Sequence, residues 1–164
     1  CIRDRHKIDR RFGSNKKYRE LSYQLKKRGM KLIMDYVLNH WGLNHYMVVD
    51  SPTKDWINRW DSYTNTSHNK EIFSDPYASK IDLKETTQGW FTESMPDLNQ
   101  NQPQFLKYLK QNAIWWIEFA DLSGFRVDTY PYNSLSAVTE WTESIMDEYP
   151  NFSIVAESLS LIHI

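Results

Sequence analysis

The chain alternates between stretches with helical spacing and short apolar runs. Over residues 15–28, Tyr18, Leu21 and Leu25 recur at helical intervals. Lys and Arg crowd the last turn, and Gly29 suits the position just past a helix end. The apolar run from Met30 to Val37 follows directly and predicts a buried parallel strand. Residues 41–100 hold no sustained period. They are rich in Asn, Asp, Ser, Thr and Trp and predict a long excursion with little regular structure. Pro103 then opens a helix over 103–120, with Leu106, Leu109, Ala113, Trp116, Ile117 and Ala120 on one face. Gly124 to Asp128 predicts a short strand. Residues 134–149 predict a helix with Leu135, Val138, Thr142, Ile145 and Tyr149 on its stripe, closed by Pro150. Phe152 to Glu157 predicts a last strand.

Strands that alternate with helices imply parallel βαβ units. Three strands do not close a barrel, which takes about 250 residues. The pattern therefore fits either a small open α/β sheet or part of a barrel. No internal repeat or low-complexity tract interrupts it.

Composition narrows the partners. A net charge of −1 gives no reason to expect nucleic acid or an anionic membrane. No apolar run is long enough to span a bilayer, and no secretory segment is visible. Because the chain opens on Cys1 rather than Met, the missing signal carries no weight. Cys1 is also the only cysteine, which removes a disulfide framework and a thiolate metal cluster. Seven Trp and ten Tyr are best explained by a large core. A carbohydrate cleft, where flat rings stack on sugars, is the second reading.

The polar residues fall at the strand ends. The first strand leads to Asp35, Asn39 and His40, the second to Arg126 and Asp128, the third to Glu157. Residues two apart on a strand share a face, so Gly124, Arg126 and Asp128 point one way and Phe125 and Val127 point toward the helices. Neighbouring parallel strands lie about 4.8 Å apart. Asp128 and Glu157 on neighbouring strands would thus approach the ~5–5.5 Å carboxyl separation of retaining glycosidases. Arg126 would keep Asp128 ionised as a nucleophile, and Glu157, flanked by Val155 and Ala156, would meet apolar surroundings suited to a proton donor. Taken singly these residues mean little. An Arg and Asp two apart are more often a structural ion pair, a lone Glu is usually solvated, and a lone His is more often structural. The joint pattern over three strand ends is what favours chemistry.

Four short motifs then resemble glycoside hydrolase family 13, the α-amylase family. Asp35-Tyr36-Val37-Leu38-Asn39-His40 is similar to its first conserved region, and Met95-Pro96-Asp97-Leu98-Asn99 to the region closing an inserted B domain. Gly124-Phe125-Arg126-Val127-Asp128 resembles the nucleophile strand, and Ile154-Val155-Ala156-Glu157 the acid/base strand. The Met-Pro-Asp-Leu-Asn form, the stretch 52–58 and Asp128-Thr129-Tyr130-Pro131-Tyr132 look closest to the neopullulanase and cyclomaltodextrinase branch.

The resemblance implies an α/β fold: part of a (β/α)8 TIM barrel with a loop-rich B domain inserted after the third strand. Residues 1–40 would be partial barrel, 41–99 the B domain, 100–158 partial barrel again, and 159–164 a non-native tail where the likeness stops. It implies Asp128 as nucleophile, Glu157 as acid/base, Arg126 and Asp35 as support for Asp128, and His40 as a hydrogen-bond donor to the sugar in the −1 subsite. Tyr132 stands where the family often has His, which alters the acceptor side. Ala156 replaces a common Gly. Asn39 supports the loop and in many relatives ligates a structural calcium; the chemistry itself needs no cofactor. The family's third carboxylate and first two barrel strands have no counterpart in the chain.

The implied substrate is an α-1,4-linked glucan, with α-1,6 links as a second target: maltooligosaccharides, cyclodextrins, pullulan or starch. Family analogy favours a periplasmic or extracellular setting, with the cytoplasm as the alternative, and leaves the oligomeric state open. A non-catalytic barrel that binds glycan or a protein partner is the alternative function. A metal-dependent hydrolase built on Asp35, Asn39, His40 and Asp128 lacks a compact ligand set. No Gly-x-Ser-x-Gly exists to support a serine hydrolase. With an unclosed barrel, the 164-residue chain is expected to be unstable and inactive alone.

Overall fold

A computed structural model describes residues 5–158; the expected non-native tail lies outside the described residues. Helix α1 spans Asn15–Lys26, its start capped by the Ser14 side chain accepting from Lys17 N. It ends two residues before the predicted limit. Met30 N returns to Leu25 O at 3.0 Å, and Gly29 takes φ +72°, a left-handed turn that glycine makes without strain. The backbone of Met30 is used in this turn, so strand β1 begins later than predicted and covers Ile33–Val37.

Beyond β1 come a short helix α2 (Tyr46–Val49), helix α3 (Lys80–Gln88), helix α4 (Pro103–Ala120), strand β2 (Gly124–Asp128), helix α5 (Leu135–Glu148) and strand β3 (Ser153–Ala156). The three strands are parallel in the order β1-β2-β3, with Asp35 opposite Arg126 and Arg126 opposite Val155. Alternation sorts the faces as expected. Phe125 and Val127 are fully buried against the helices, while Arg126 and Asp128 face the other way.

One side of the sheet is covered by α4 and α5. Gln102 caps α4 by accepting from Phe105 N at 2.7 Å, Pro103 occupies its first turn, and Leu109, Ala113, Trp116, Ile117 and Ala120 are buried. Tyr36 from β1 packs at 4.7 Å on Phe125 and stacks at 5.5 Å on Trp141, and its hydroxyl donates to Asn112 Oδ1 at 2.7 Å. The α5 stripe differs from the expected one. Ala137, Val138, Trp141 and Ile145 are buried, whereas Leu135 is 74% exposed. Burying the larger Trp141 ring turns the helix by about one position. The opposite face of the sheet is open: Ile33 and Val155 are each about half exposed.

The excursion is more ordered than its sequence suggests. Three-residue and four-residue 3-10 turns occupy Lys54–Trp56 and Lys70–Phe73, and α3 is a nine-residue helix capped by Ser79. Its polar composition hides the helix, because few of its side chains need burial. Antiparallel bridges His40–Asp97 and Ile57–Leu98 close the two ends of the excursion on each other. Trp41, Trp56 and Leu98 are buried beneath them, so much of the Trp content is core.

Gly124 of β2 packs directly against the backbone of Ser153 on β3. A Cβ there would lie 2.5 Å from Ser153 O. Gly124→Ala should force the strands apart and cost about 1–3 kcal/mol. Denaturant unfolding of the protein carrying this chain checks it; wild-type stability would mean the strands tolerate the shift.

Candidate active site

The central position of β2 determines the site. Arg126 lies in the middle of three strands and reaches a carboxylate on each. Its Nη1 donates to Asp35 Oδ1 at 2.5 Å and to Asp128 Oδ1 at 2.9 Å, and its Nη2 pairs with Glu157 Oε1. The hydrogen bond to Asp35 chiefly, then that to Asp128, raises the guanidinium above its ordinary value, so it stays charged. Asp128 and Glu157 keep 22% and 21% of their side-chain surface, against 62% for Asp35. The first two are recessed yet reachable, while Asp35 braces the arginine from outside.

Glu157 is held twice. Its backbone N donates to Val127 O at 2.9 Å, continuing the β2–β3 ladder, and its Oε2 accepts from Thr129 N at 3.1 Å. Thr129 directs that N–H by adopting φ +51°, a left-handed conformation uncommon for a β-branched residue. Asn133 Nδ2 fixes the turn through the carbonyls of Thr129 and Tyr130 at 3.1 and 3.0 Å. Gln100 Nε2 ties Asn133 to Leu38 O at the end of β1. The apolar surroundings expected of Glu157 are absent. Val155 and Ala156 are exposed because β3 is a sheet edge among the described residues, and the carboxylate meets a cation and an amide instead.

His40 and Tyr132 join this cluster through Phe91 of the excursion. The Phe91 ring lies 5.5 Å from His40 and 5.1 Å from Tyr132, the latter edge-on. Burial, assisted by the nearby Arg5 charge, lowers the His40 imidazole from 6.5 to about 4. Arg5 Nη2 also donates to His40 O at 3.2 Å. Tyr132 is only 1% exposed, and its hydroxyl meets His68 Nδ1 at 3.3 Å. Burial raises its phenol, with Glu157 adding to the effect. Tyr132 is therefore a buried wall of the site rather than an open surface.

Asn39 turns away from the carboxylate cluster. Its Nδ2 donates to Asp97 Oδ1 at 2.9 Å, and Asn58 Nδ2 donates to Asp97 Oδ2 at 2.7 Å. Burial pushes the Asp97 carboxyl well above the usual carboxylate range, opposed by these two amides. A calcium ion takes six to eight oxygen ligands. Each Asp97 oxygen accepts one N–H here, and Asn39 Oδ1 is buried without a partner, so Asn39 and Asp97 offer oxygens of the kind calcium takes but do not by themselves make a full set.

Sequence reading thus found Asp35, Arg126, Asp128 and Glu157, which the fold brings into one ion-paired group. It missed Thr129, Gln100, Asn133, Phe91, His68 and the Asp97–Asn58 pairing. Only the aromatic Phe91, just ahead of the Met95–Asn99 motif, carried a usable signal.

Comparison with known proteins places the chain in a family. Residues 1–158 match the family model "Alpha amylase, catalytic domain". The chain is 30% identical over 163 residues to an intracellular maltogenic amylase of Bacillus subtilis, covering 94% of this chain and 24% of that protein. It is 31% identical over 134 residues to a cyclomaltodextrinase of Thermoanaerobacter pseudethanolicus, covering 76% of this chain and 21% of the relative. The chain therefore spans about a quarter of the length of these relatives. Among solved structures, an α-amylase from Geobacillus thermoleovorans complexed with acarbose superposes with a TM-score of 0.79 at 29% identity, covering 97% of this chain and 32% of that one. An Anoxybacillus α-amylase gives 0.80 at 28% identity, with the same coverage. The family match takes in every described strand and helix, and the chain belongs to the α-amylase catalytic-domain family.

Proposed function

We propose that this chain carries the catalytic face of a retaining glycoside hydrolase acting on α-1,4 and α-1,6 bonds of maltooligosaccharides, cyclodextrins, pullulan or starch. The observation that carries the reading is the single guanidinium of Arg126 shared by Asp128 and Glu157 at the ends of adjacent parallel strands. Carboxylates so placed suit double displacement. Asp128 attacks the anomeric carbon and the bond to the leaving oxygen breaks while Glu157 supplies that oxygen's proton. Water then attacks the glycosyl-enzyme ester, Glu157 takes the water's proton, and Asp128 is released. The maltogenic amylase and cyclomaltodextrinase relatives support the substrate class.

Glu157 holds Arg126 Nη2 in this structure. Proton delivery requires that contact to give way to the glycosidic oxygen. Residues 41–99 fit the role of an inserted B domain, with Phe91 and His68 forming the side of the cleft facing Tyr132. His40, neutral at ordinary pH, keeps one ring N–H to offer a sugar hydroxyl.

In the protein carrying this chain, Asp128→Asn should lower turnover of maltooligosaccharides or cyclodextrins at least about 10³-fold. Wild-type activity would end the assignment. Glucan binding without reducing-sugar release by the wild type would favour a non-catalytic binding barrel instead. NMR of the first-formed product should give the α-anomer, and β-product would contradict retention.

The His40 shift also sets a pH window. Its folded value of about 4 lies below the reference 6.5, so the unfolded chain takes up the proton first as pH falls. This contribution to stability is complete above about pH 6.5 and is lost as pH drops toward about 4. His40→Gln should flatten the stability curve between about pH 4 and about pH 6.5. Equal slopes for variant and wild type would show that His40 titrates normally.

A further inference from the structure

We propose, on the basis of the glycosidase reading above, that Asn133 and Gln100 are positioning residues for Glu157: through the turn at Thr129 they hold one oxygen of its carboxyl group so that the other delivers the proton. Glu157 N donates to Val127 O, and a parallel ladder would take the next N–H, that of Thr129, to Glu157 O. Thr129 N instead donates to the side-chain Oε2 at 3.1 Å. The chain leaves the strand there in a left-handed turn, φ 51° and ψ 34°, which a β-branched residue adopts only when its surroundings impose it. The Thr129 side chain does not impose it, since its hydroxyl is buried without a hydrogen-bond partner among the described residues.

Asn133 supplies the constraint. Its Nδ2 donates to Thr129 O and Tyr130 O at 3.1 and 3.0 Å. Its Oδ1 accepts from Gln100 Nε2 at 3.2 Å, that same Nε2 donates to Leu38 O at 3.3 Å, and Gln100 Oε1 accepts from Ser134 N at 3.4 Å. Every polar side-chain atom of both amides is used, and the two residues are 2% and 3% exposed, so a flipped amide would leave buried groups unpaired. The network ties the Thr129 turn to the end of β1 and to the base of the excursion, where Gln100 follows the Met95–Asn99 motif. A protonated carboxyl carries its proton on one oxygen. With Oε2 kept as an acceptor by the Thr129 N–H, the proton belongs on Oε1, the oxygen that shares the Arg126 guanidinium with Asp128. From Oε1 it passes to the leaving oxygen as the glycosidic bond breaks and Asp128 bonds the anomeric carbon, and Oε1 takes a proton back from the attacking water.

The leaving group separates proton delivery from general structure. Maltohexaose needs a proton at its leaving oxygen, whereas α-maltosyl fluoride releases fluoride without one. In the protein that carries this chain, Asn133→Ala should lower kcat/KM for maltohexaose about 10²-fold, a loss at least about 10 times that on α-maltosyl fluoride. Equal losses on the two substrates would mean a merely structural role, and wild-type values on both would mean that Glu157 needs no such support; either overturns the proposal. Asp128→Asn should lose both activities. A wild type that cleaves neither substrate would overturn the glycosidase reading itself, so the two failures are distinct. If Asn133→Ala does not fold, Gln100→Ala, which leaves both Asn133 donors in place, carries the same comparison. A maltohexaose loss about 10 times the fluoride loss supports the proposal, and equal losses or none overturn it.

Discussion

Arg126 stands on the middle strand because only there can one guanidinium touch carboxylates from β1, β2 and the end of β3. Without it, Asp35, Asp128 and Glu157 would face one another across neighbouring strands, and like charges at that range disfavour ionisation. The arginine does not act by burial, since its side chain keeps 37% of its surface and water screens each pair. Its effect is geometric. It fixes three oxygens relative to a sheet whose other face is locked by Phe125, Val127, Tyr36 and Trp141. The apolar side of β2 holds the strand still, and the polar side uses that stillness to position charge.

Strand parity made this arrangement legible. Alternation at 124–128 assigned Phe125 and Val127 to the helices and Arg126 and Asp128 to the open face, and the register agrees. Helix α4 was equally legible, because Pro103 and a long apolar stripe are local signals. The α5 stripe was less so. Leu135 and Thr142 fit a helical period as well as Trp141 does, and the choice is made by the ring of Tyr36, a hundred residues away in sequence. Helix α3 was invisible because it buries little: of its nine residues only Thr86 is buried.

Within the site, the same divide separates charge from hydrogen bonds. Carboxylates at strand ends could be read from spacing. The left-handed turn at Thr129 could not, since a threonine offers no hint that φ will be positive. Nor could the grip on Asp97, whose partners lie 58 and 39 residues away. Long-range polar pairing follows from the fold and is not encoded in any short window of residues.

The aromatic residues resolve along the same line. Trp41, Trp56 and Trp141 serve the core, as composition first suggested. Phe91 does something else. It touches His40, His68 and Tyr132, linking the excursion to the ends of β1 and β2. The excursion is therefore held at two places by different means, through amide hydrogen bonds at Asp97 and through ring contacts at Phe91. The first fixes its base next to His40, and the second sets its inner wall against Tyr132 beside Glu157. Within that frame Asp128 pairs with Nη1 and Glu157 with Nη2, so in the proposed reaction the Glu157 contact can be exchanged for the glycosidic oxygen without releasing Asp128 from the arginine.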